Sequence, residues 1–362
     1  MNCIYFTVTN DLSYDRRMQR ICVSLAASGY SVVLVGRKLP GSIPLSKGSY
    51  QQKRLTCLFN KGRIFYAEFN LRLFFYLFFK KVDAVCCIDL DTILPVLLIS
   101  SIKNTKRIYD AHELFCEMKE IVTRRRIYNR WKQIEKFSVP KFAYGYTVSK
   151  PIADEFKKMY GVQYELIRNV PAFEKTSVPA KKEKYILYQG AVNEGRSFET
   201  LIPAMKNVDA KLIICGDGNF IQQAKNLVAE NGLDDKIIFK GMLSPGDLKN
   251  YTIQATIGIT LFENNGMSNY YSLANRFFDY MHAAVPQLCV DYPAYREVNQ
   301  QFKVALLIVD LSSQSIASSL NNLLQNDVLY KEMQAECLKA RQVYNWQEEE
   351  KKLLSLYERI FK

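Results

Sequence analysis

The sequence predicts an α/β protein of two domains, each built on a parallel sheet with helices between its strands. Three observations carry this. The chain has 362 residues, beyond the size at which a single hydrophobic core stops growing. Short apolar runs alternate with amphipathic stretches from end to end, the pattern of repeated β-α units. That alternation breaks after Arg168-Asn169-Val170-Pro171, in a charged, proline-containing stretch without apolar period, and then restarts.

In the first half, strands are expected at 3–8, 31–35, 84–88, 107–109 and 145–148, with helices at 15–28, 92–101, 128–138 and 151–159. The second half repeats the pattern, with strands at 184–189, 211–215, 237–240, 257–261 and 287–290. Helices at 198–206, 220–231, 245–254 and 272–282 lie between them, and two more at 327–343 and 347–361 close the chain. The expected boundaries are a basic domain at 1–168, a linker at 169–183, a second domain at 184–345 and a final helix at 346–362.

Composition narrows the function. Hydrophobic residues make up 48% and charged residues 23%, values of an ordinary globular protein, not a disordered one. The nine cysteines form no C-x-x-C pair and there are two histidines. Both facts argue against a zinc site or disulfide framework and for reduced thiols in a cytoplasm. The opening MNCIYFTVTND reads as a strand, without the basic leader of a signal peptide. The net charge of +13 is lopsided: residues 1–170 hold 28 Lys/Arg against 14 Asp/Glu, and the remainder 21 against 22. Such asymmetry points the first half toward a polyanionic surface, either a phospholipid leaflet or a nucleic acid.

The segment 64–79 (IFYAEFNLRLFFYLFF) is apolar, aromatic and bracketed by Lys61, Arg63, Lys80 and Lys81. Its longest unbroken apolar run is far short of the ~20 residues that span a bilayer. It is expected either to lie in a lipid interface or to cover the first sheet, and one face could do each. Glu68 and Arg72 are spaced as a surface pair.

Ligands in open parallel sheets bind at the carboxyl ends of the strands, so the residues after each strand matter most. Gly216-Asp217-Gly218 follows one strand and Gly190-Ala191-Val192-Asn193-Glu194-Gly195-Arg196 another. Both are glycine loops that open helices, readable as anion cradles or simply as tight turns. Arg196 is either a diphosphate partner or a solvated side chain. Ser272 is expected to cap a helix whose first amides, from Ser272 through Leu273 and Ala274 to Asn275, are free for phosphate. Asp279, two turns on, suits vicinal sugar hydroxyls. In the first half, His112 lies between acids after a strand, either as a structural residue or in a sugar-binding cleft. Asp89-Leu90-Asp91 has the D-x-D form of a metal site, but before a helix at Thr92 it reads first as an acidic cap, with acceptor binding as the other reading. His282, inside a helix, reads as structural.

These segments together resemble family 4 of the retaining nucleotide-sugar glycosyltransferases. The matching stretches are TNDLSYDRRMQRICVSLAASGYSVVLVGRK, YDAHE at 109–113, RNVP, YQGAVNEGR, ICGDGN and YYSLANRFFDYM. The resemblance covers the whole chain and implies a GT-B fold, with two facing Rossmann-like domains, a cleft between them and the last helix crossing back to the first. It also implies that the second domain holds the donor nucleotide. Arg196 and Arg276 would face the diphosphate, with the amides at 272–275 capping it. Asp279 would bind the ribose, Gly216 and Gly218 would border the base, and Gly190 would belong to the same donor nucleotide site. His112 would lie near the transferred sugar, and Asn10, Asp11, Asp89, Glu113 and Tyr271 in the acceptor or sugar cleft. Tyr271 and Asp279 stand where many members carry two glutamates. Ala191 and Glu194 replace a common Arg and Lys, and Arg196 is read as the substitute phosphate partner.

The expected activity is retaining, metal-independent hexosyl transfer from a nucleoside diphosphate sugar, with no cofactor beyond that co-substrate. The expected acceptor is lipid-linked or a glycan, used in cell-surface polysaccharide or lipopolysaccharide synthesis. The basic first domain would rest peripherally on an anionic membrane's inner face. Two alternatives are a nucleotide-sugar-binding protein of the same fold without transferase activity, or a basic nucleic-acid-binding module. Against nucleic acid, the aromatic residues cluster in one segment and are not interleaved with the basic ones as a stacking platform needs.

Overall fold

The computed structural model describes residues 1–13, 15–175 and 183–362. Residues 176–182 of the expected linker therefore lie outside the described residues. The chain divides into two units, Met1–Asn169 with Glu349–Lys362, and Val170–Glu348. Each is an α/β unit on one wholly parallel sheet, the fold class that the sequence predicts.

The first unit runs β1 (Cys3–Thr7), α1 (Arg16–Ala27), β2 (Ser31–Lys38), β3 (Gln51–Thr56), α2 (Gly62–Phe78), β4 (Ala84–Ile88), α3 (Ile93–Lys103), β5 (Lys106–Ala111), α4 (Lys119–Val122), α5 (Arg125–Ser138), β6 (Tyr144–Thr147), α6 (Lys150–Tyr160) and β7 (Glu165–Leu166). The sheet order is β3-β2-β1-β4-β5-β6-β7. Strand β4 (AVCCI) is buried throughout, as a strand covered on both faces must be. Helix α1 starts where the Asp15 carboxylate accepts the Met18 N–H at 3.0 Å and turns Met18, Ile21, Cys22 and Leu25 inward at helical spacing. Strand β3 (QQKRLT) was not expected. It has no apolar alternation because it is an edge strand, held by its ladder from Val33↔Gln51 to Lys38↔Thr56.

Helix α2 takes up most of the aromatic segment. Phe65, Phe69, Leu73 and Leu77, four residues apart, are buried, whereas Leu71, Phe75, Phe78 and the following Phe79 are exposed. The helix thus has one face that packs on the unit and one that is exposed and apolar. The Glu68–Arg72 pair forms at 2.8 Å. Among the described residues, no helix is long and apolar enough to cross a membrane.

The second unit runs β8 (Tyr185–Gln189), α7 (Phe198–Ala204), β9 (Lys211–Cys215), α8 (Ile221–Glu230), β10 (Ile237–Gly241), α9 (Pro245–Gln254), β11 (Ile257–Thr260), α10 (Met267–Tyr271), α11 (Asn275–His282), β12 (Gln287–Val290), α12 (Pro293–Gln301), β13 (Ala305–Ile308), α13 (Ser313–Gln325) and α14 (Asp327–Val343). Its order is β10-β9-β8-β11-β12-β13. Helix α15 (Trp346–Phe361) begins in this unit and ends in the first. There, Tyr357 packs beside Phe6 and Tyr30, and Glu349 accepts the Arg168 N–H at 2.9 Å.

The helix expected at 272–282 is two helices. Ser272 and Ala274 are both extended, which breaks the chain between α10 and α11. The Ser272 hydroxyl donates back to Asn269 O at 2.8 Å, a local bond that competes with helix capping. Ser272 thus closes α10, and the residue before α11 is Ala274, which has no capping side chain.

Strand order reverses between β1 and β4 in the first unit and between β8 and β11 in the second. These are the topological switch points at which open parallel sheets bind ligands, and the candidate residues gather at both.

Candidate functional site

In the second unit, two arginines converge beside the end of β11. The Arg196 guanidinium lies 4.4 Å and that of Arg276 4.9 Å from the ring centre of Phe262, both favourable cation-π placements. Arg276 projects from α11, is only 8% exposed, stacks 4.4 Å over Tyr188 and donates to Gln189 O at 3.0 Å. Among the described residues, no carboxylate pairs with it. A buried guanidinium without a counter-charge is costly, and a bound anion is the natural remedy. Arg196 donates to Asn269 Oδ1 at 3.0 Å, and the chain continues through Asn265 to Glu263. Phe262, Asn265 and Asn269 were missed in the sequence. Their signal was position alone, directly after β11 at the switch point.

Asp279 faces the same sheet end. Its Oδ2 accepts from Gln189 Nε2 at 2.8 Å, and Gln189 Oε1 accepts from the Thr252 hydroxyl at 2.7 Å. Gln189, last in β8, was also missed. It ties Asp279 to the loop at Gly190.

The glycine loops interlock. A Cβ at Gly216 would fall 1.8 Å from Gly190 O, and one at Gly218 2.3 Å from Val192 O. Gly190 N–H donates to Cys215 O at 2.9 Å and Val192 N–H to Asp217 O at 3.0 Å. These glycines are therefore required by loop-on-loop packing, whatever else they border.

One expectation fails here. The amides at 272–275 do not form a ready cradle. Ser272 N–H donates to Asn269 O at 3.2 Å and Ala274 N–H to the Tyr295 hydroxyl at 3.1 Å, so two of the four are used inside the unit. Leu273 is buried and Asn275 exposed. Tyr271, at the end of α10, packs against Tyr270.

In the first unit, His112 follows β5 and is 26% exposed. Its Nε2 lies 3.1 Å from Asp110 Oδ2 and its Nδ1 3.4 Å from Asp89 Oδ2. Burial alone would lower its pKa, but the two carboxylates raise it to about 9. The ring is thus an imidazolium at neutral pH, with both nitrogens facing acids, and is unsuited to act as a general base. Asp110 is wholly buried and grips Arg17 through Nε at 3.2 Å and Nη2 at 2.9 Å. Burial opposes its charge, yet Arg17 and His112 hold it below the ordinary carboxylate value. Arg17, 3% exposed, also donates to Ile167 O at 2.8 Å. Asp110 was legible in the sequence as an acid beside His112; Arg17 was not.

The acidic cap expected at 89–91 is absent. Asp89 Oδ1 accepts the His112 N–H at 2.9 Å, and Asp91 Oδ2 accepts from the Thr9 hydroxyl at 2.8 Å. The residue before α3 is Thr92, without a side-chain cap bond. Asp89 has φ of +52°, a strained backbone for a residue other than glycine. Burial raises Asp89 to about 7 and Asp91 to about 6. Asn10 and Asp11 shape their own loop: Asn10 Oδ1 accepts the Leu12 N–H at 2.9 Å and Asp11 Oδ1 the Ser13 N–H at 3.1 Å. Glu113, half-buried, follows His112. His282 accepts no role here, since its Nε2 meets Tyr344 O at 2.7 Å.

The two parallel-sheet units match the GT-B fold of solved structures. Residues 170–342 match the family described as Glycosyl transferases group 1. No curated protein matches the chain in sequence. Among solved structures, the chain is similar over 100% of its length to 99% of sucrose-phosphate synthase from Thermosynechococcus elongatus, with a TM-score of 0.86 at 15% identity. It is similar over 99% of its length to 100% of HepE from Anabaena in complex with UDP-glucose, with a TM-score of 0.75 at 11% identity. WaaG, a glycosyltransferase involved in lipopolysaccharide biosynthesis, matches 97% of the chain over 98% of its own, with a TM-score of 0.70 at 14% identity.

Proposed function

We propose that this protein is a retaining glycosyltransferase that moves a hexosyl-type sugar from a nucleoside diphosphate sugar to a lipid-linked acceptor at the cytoplasmic face of a membrane. The observation that carries the reading is Arg276, a buried guanidinium at the β8–β11 switch point that no carboxylate among the described residues neutralises. The match of the second unit to glycosyl transferases group 1 supports a diphosphate as the missing anion, and HepE in complex with UDP-glucose supports a nucleotide sugar as its source.

The donor is assigned to the second unit. Arg276 and Arg196 would hold the diphosphate and stabilise the charge that grows on it as the glycosidic bond breaks. Two guanidiniums can do this without a metal ion. Asp279, steadied by Gln189, would bind the ribose. His112 would act as a fixed cation and hydrogen-bonding wall near the sugar, its charge maintained by Asp110 and Asp89. The acceptor is assigned to the first unit, whose excess of Lys/Arg and exposed apolar stripe on α2 support a membrane surface. Among the similar structures, WaaG acts in lipopolysaccharide biosynthesis, which supports a role in cell-surface glycan assembly.

The test is transfer from a panel of nucleoside diphosphate sugars to a bacterial lipid extract in EDTA, with the product's anomeric configuration read by NMR. One donor should be consumed, with its configuration retained. Inverted product, or loss of activity in EDTA, would refute the corresponding part.

A further inference from the structure

The first unit contains a cavity of about 820 Å³ between α2 and the α4–α5 segment. Its lining is of mixed chemistry. Tyr66, Phe115, Met118, Ile121 and Trp131 give it an apolar body, with the Trp131 ring 5.0 Å from that of Phe115 and 5.6 Å from Tyr66. Asp89, Asp91 and Glu113, from the carboxyl ends of β4 and β5, and the exposed Glu120 of α4 supply its acids. Arg63, Arg124 and Arg130 line it too. All three are exposed, and none makes an ion pair among the described residues.

A free sugar or short glycan could stack on the rings and bond to the acids, but it would leave the aliphatic lining of Leu94, Met118, Ile121 and Ile127 unmatched. A bare hydrocarbon does not fit either, because it would leave three arginines and four acids unused. The lining matches an amphiphile with an apolar chain, an anionic group and a hydroxyl-bearing head. The arginines are suited to a phosphate, and acids at the carboxyl edge of a sheet accept hydrogen bonds from hydroxyls. Leu94, which also lines the cavity, sits on α3 with exposed Leu98 and Ile102, and α3 packs beside α2 with its exposed Leu71 and Phe75. The cavity is thus continuous with the unit's outward apolar surface, from which a chain could enter.

We infer that this cavity seats the acceptor, an alkyl or isoprenoid chain carrying a phosphate, with the phosphate at Arg63, Arg124 and Arg130 and the accepting hydroxyl toward Asp89, Asp91 and Glu113. The inference rests on the transferase reading for the word acceptor, but not for the ligand's chemistry.

The probe is dodecyl phosphate below its micelle concentration, followed by calorimetry and by tryptophan fluorescence, since Trp131 is one of only two tryptophans. Dodecyl maltoside and inorganic phosphate serve as head-group and chain controls. Two variants are compared with wild type. Ala67→Trp fills the cavity from an exposed position on α2, and the triple Arg63→Glu/Arg124→Glu/Arg130→Glu reverses the exposed charges, so neither disturbs the core. Dodecyl phosphate should bind wild type at least tenfold more tightly than either control and lose at least tenfold in each variant. Equal binding of dodecyl maltoside, or unchanged binding in Ala67→Trp, would overturn the inference. Thermal stabilisation by nucleoside diphosphate, measured on the same samples, separates the two readings. If it persists while dodecyl phosphate fails to bind, the cavity assignment falls and the donor site stands. If dodecyl phosphate binds as described and no nucleotide does, the cavity stands as an amphiphile site and the transferase reading falls.

Discussion

Replacing Asp110 with asparagine should damage both the fold and the charge of the first unit, by an amount the geometry sets. Asp110 is fully buried and Arg17 is 3% exposed, so water screens neither. Removing one partner of such a pair leaves the other charge stranded, at a cost of about 3–5 kcal/mol. In a unit of this size, that lowers Tm by about 10 °C. His112 loses the closer of its two acids, and its pKa should fall from about 9 toward its ordinary 6.5. A histidine whose pKa is raised by folding contributes stability that is fully present below its unfolded value and is lost as pH rises through its folded one. Wild type should therefore lose stability between pH 6.5 and about 9, and Asp110→Asn should lack that slope. Thermal unfolding across this range, with the imidazole signals followed by NMR, reads both effects; with two histidines in the chain, the spectrum is simple. A Tm within about 2 °C of wild type, with His112 still titrating near 9, would refute the idea that Asp110 holds this cluster.

Three further outcomes are expected. Arg276→Met should abolish nucleoside diphosphate binding while leaving Tm equal or higher, because it removes a buried charge that lacks a carboxylate partner; a lower Tm with binding intact would contradict this. Gly216→Ala should cost about 3 kcal/mol from overpacking against Gly190 and weaken nucleotide binding, checked by denaturant unfolding and calorimetry. The triple Leu71→Ser/Phe75→Ser/Phe79→Ser should release the protein from anionic vesicles in flotation without lowering Tm, since all three side chains are exposed; unchanged flotation would count against α2 as the lipid-facing element.

The elements that could be read from the sequence are those whose local pattern and tertiary role agree. Strands such as β4 and β9 are apolar because both faces are covered, and α1 carries its cap and its buried stripe together. Strand β3 escaped because its stability comes from the ladder with β2 and not from its own QQKRLT. The break at Ser272 escaped because serine serves equally as a helix start and as a bond back into the preceding turn. At the sites, Arg196, Asp279 and His112 were visible from their places in the segments after strands, and Arg276 through the family resemblance. Their partners Gln189, Phe262, Asn269 and Arg17 were not, because each reaches its partner from a distant position: Arg17 and Asp110 are 93 residues apart. The cavity beside Trp131 joins α2, β4 and α5, which no single stretch of sequence displays.

The most direct test of the central claim is thermal stabilisation by a panel of nucleoside diphosphates, with and without EDTA, on wild type and on Asp279→Ala. At 100 times its dissociation constant, a ligand of the folded state adds about 2.7 kcal/mol. The account predicts such a shift with one nucleotide, unaffected by EDTA and lost in Asp279→Ala. No shift with any nucleoside diphosphate would contradict it.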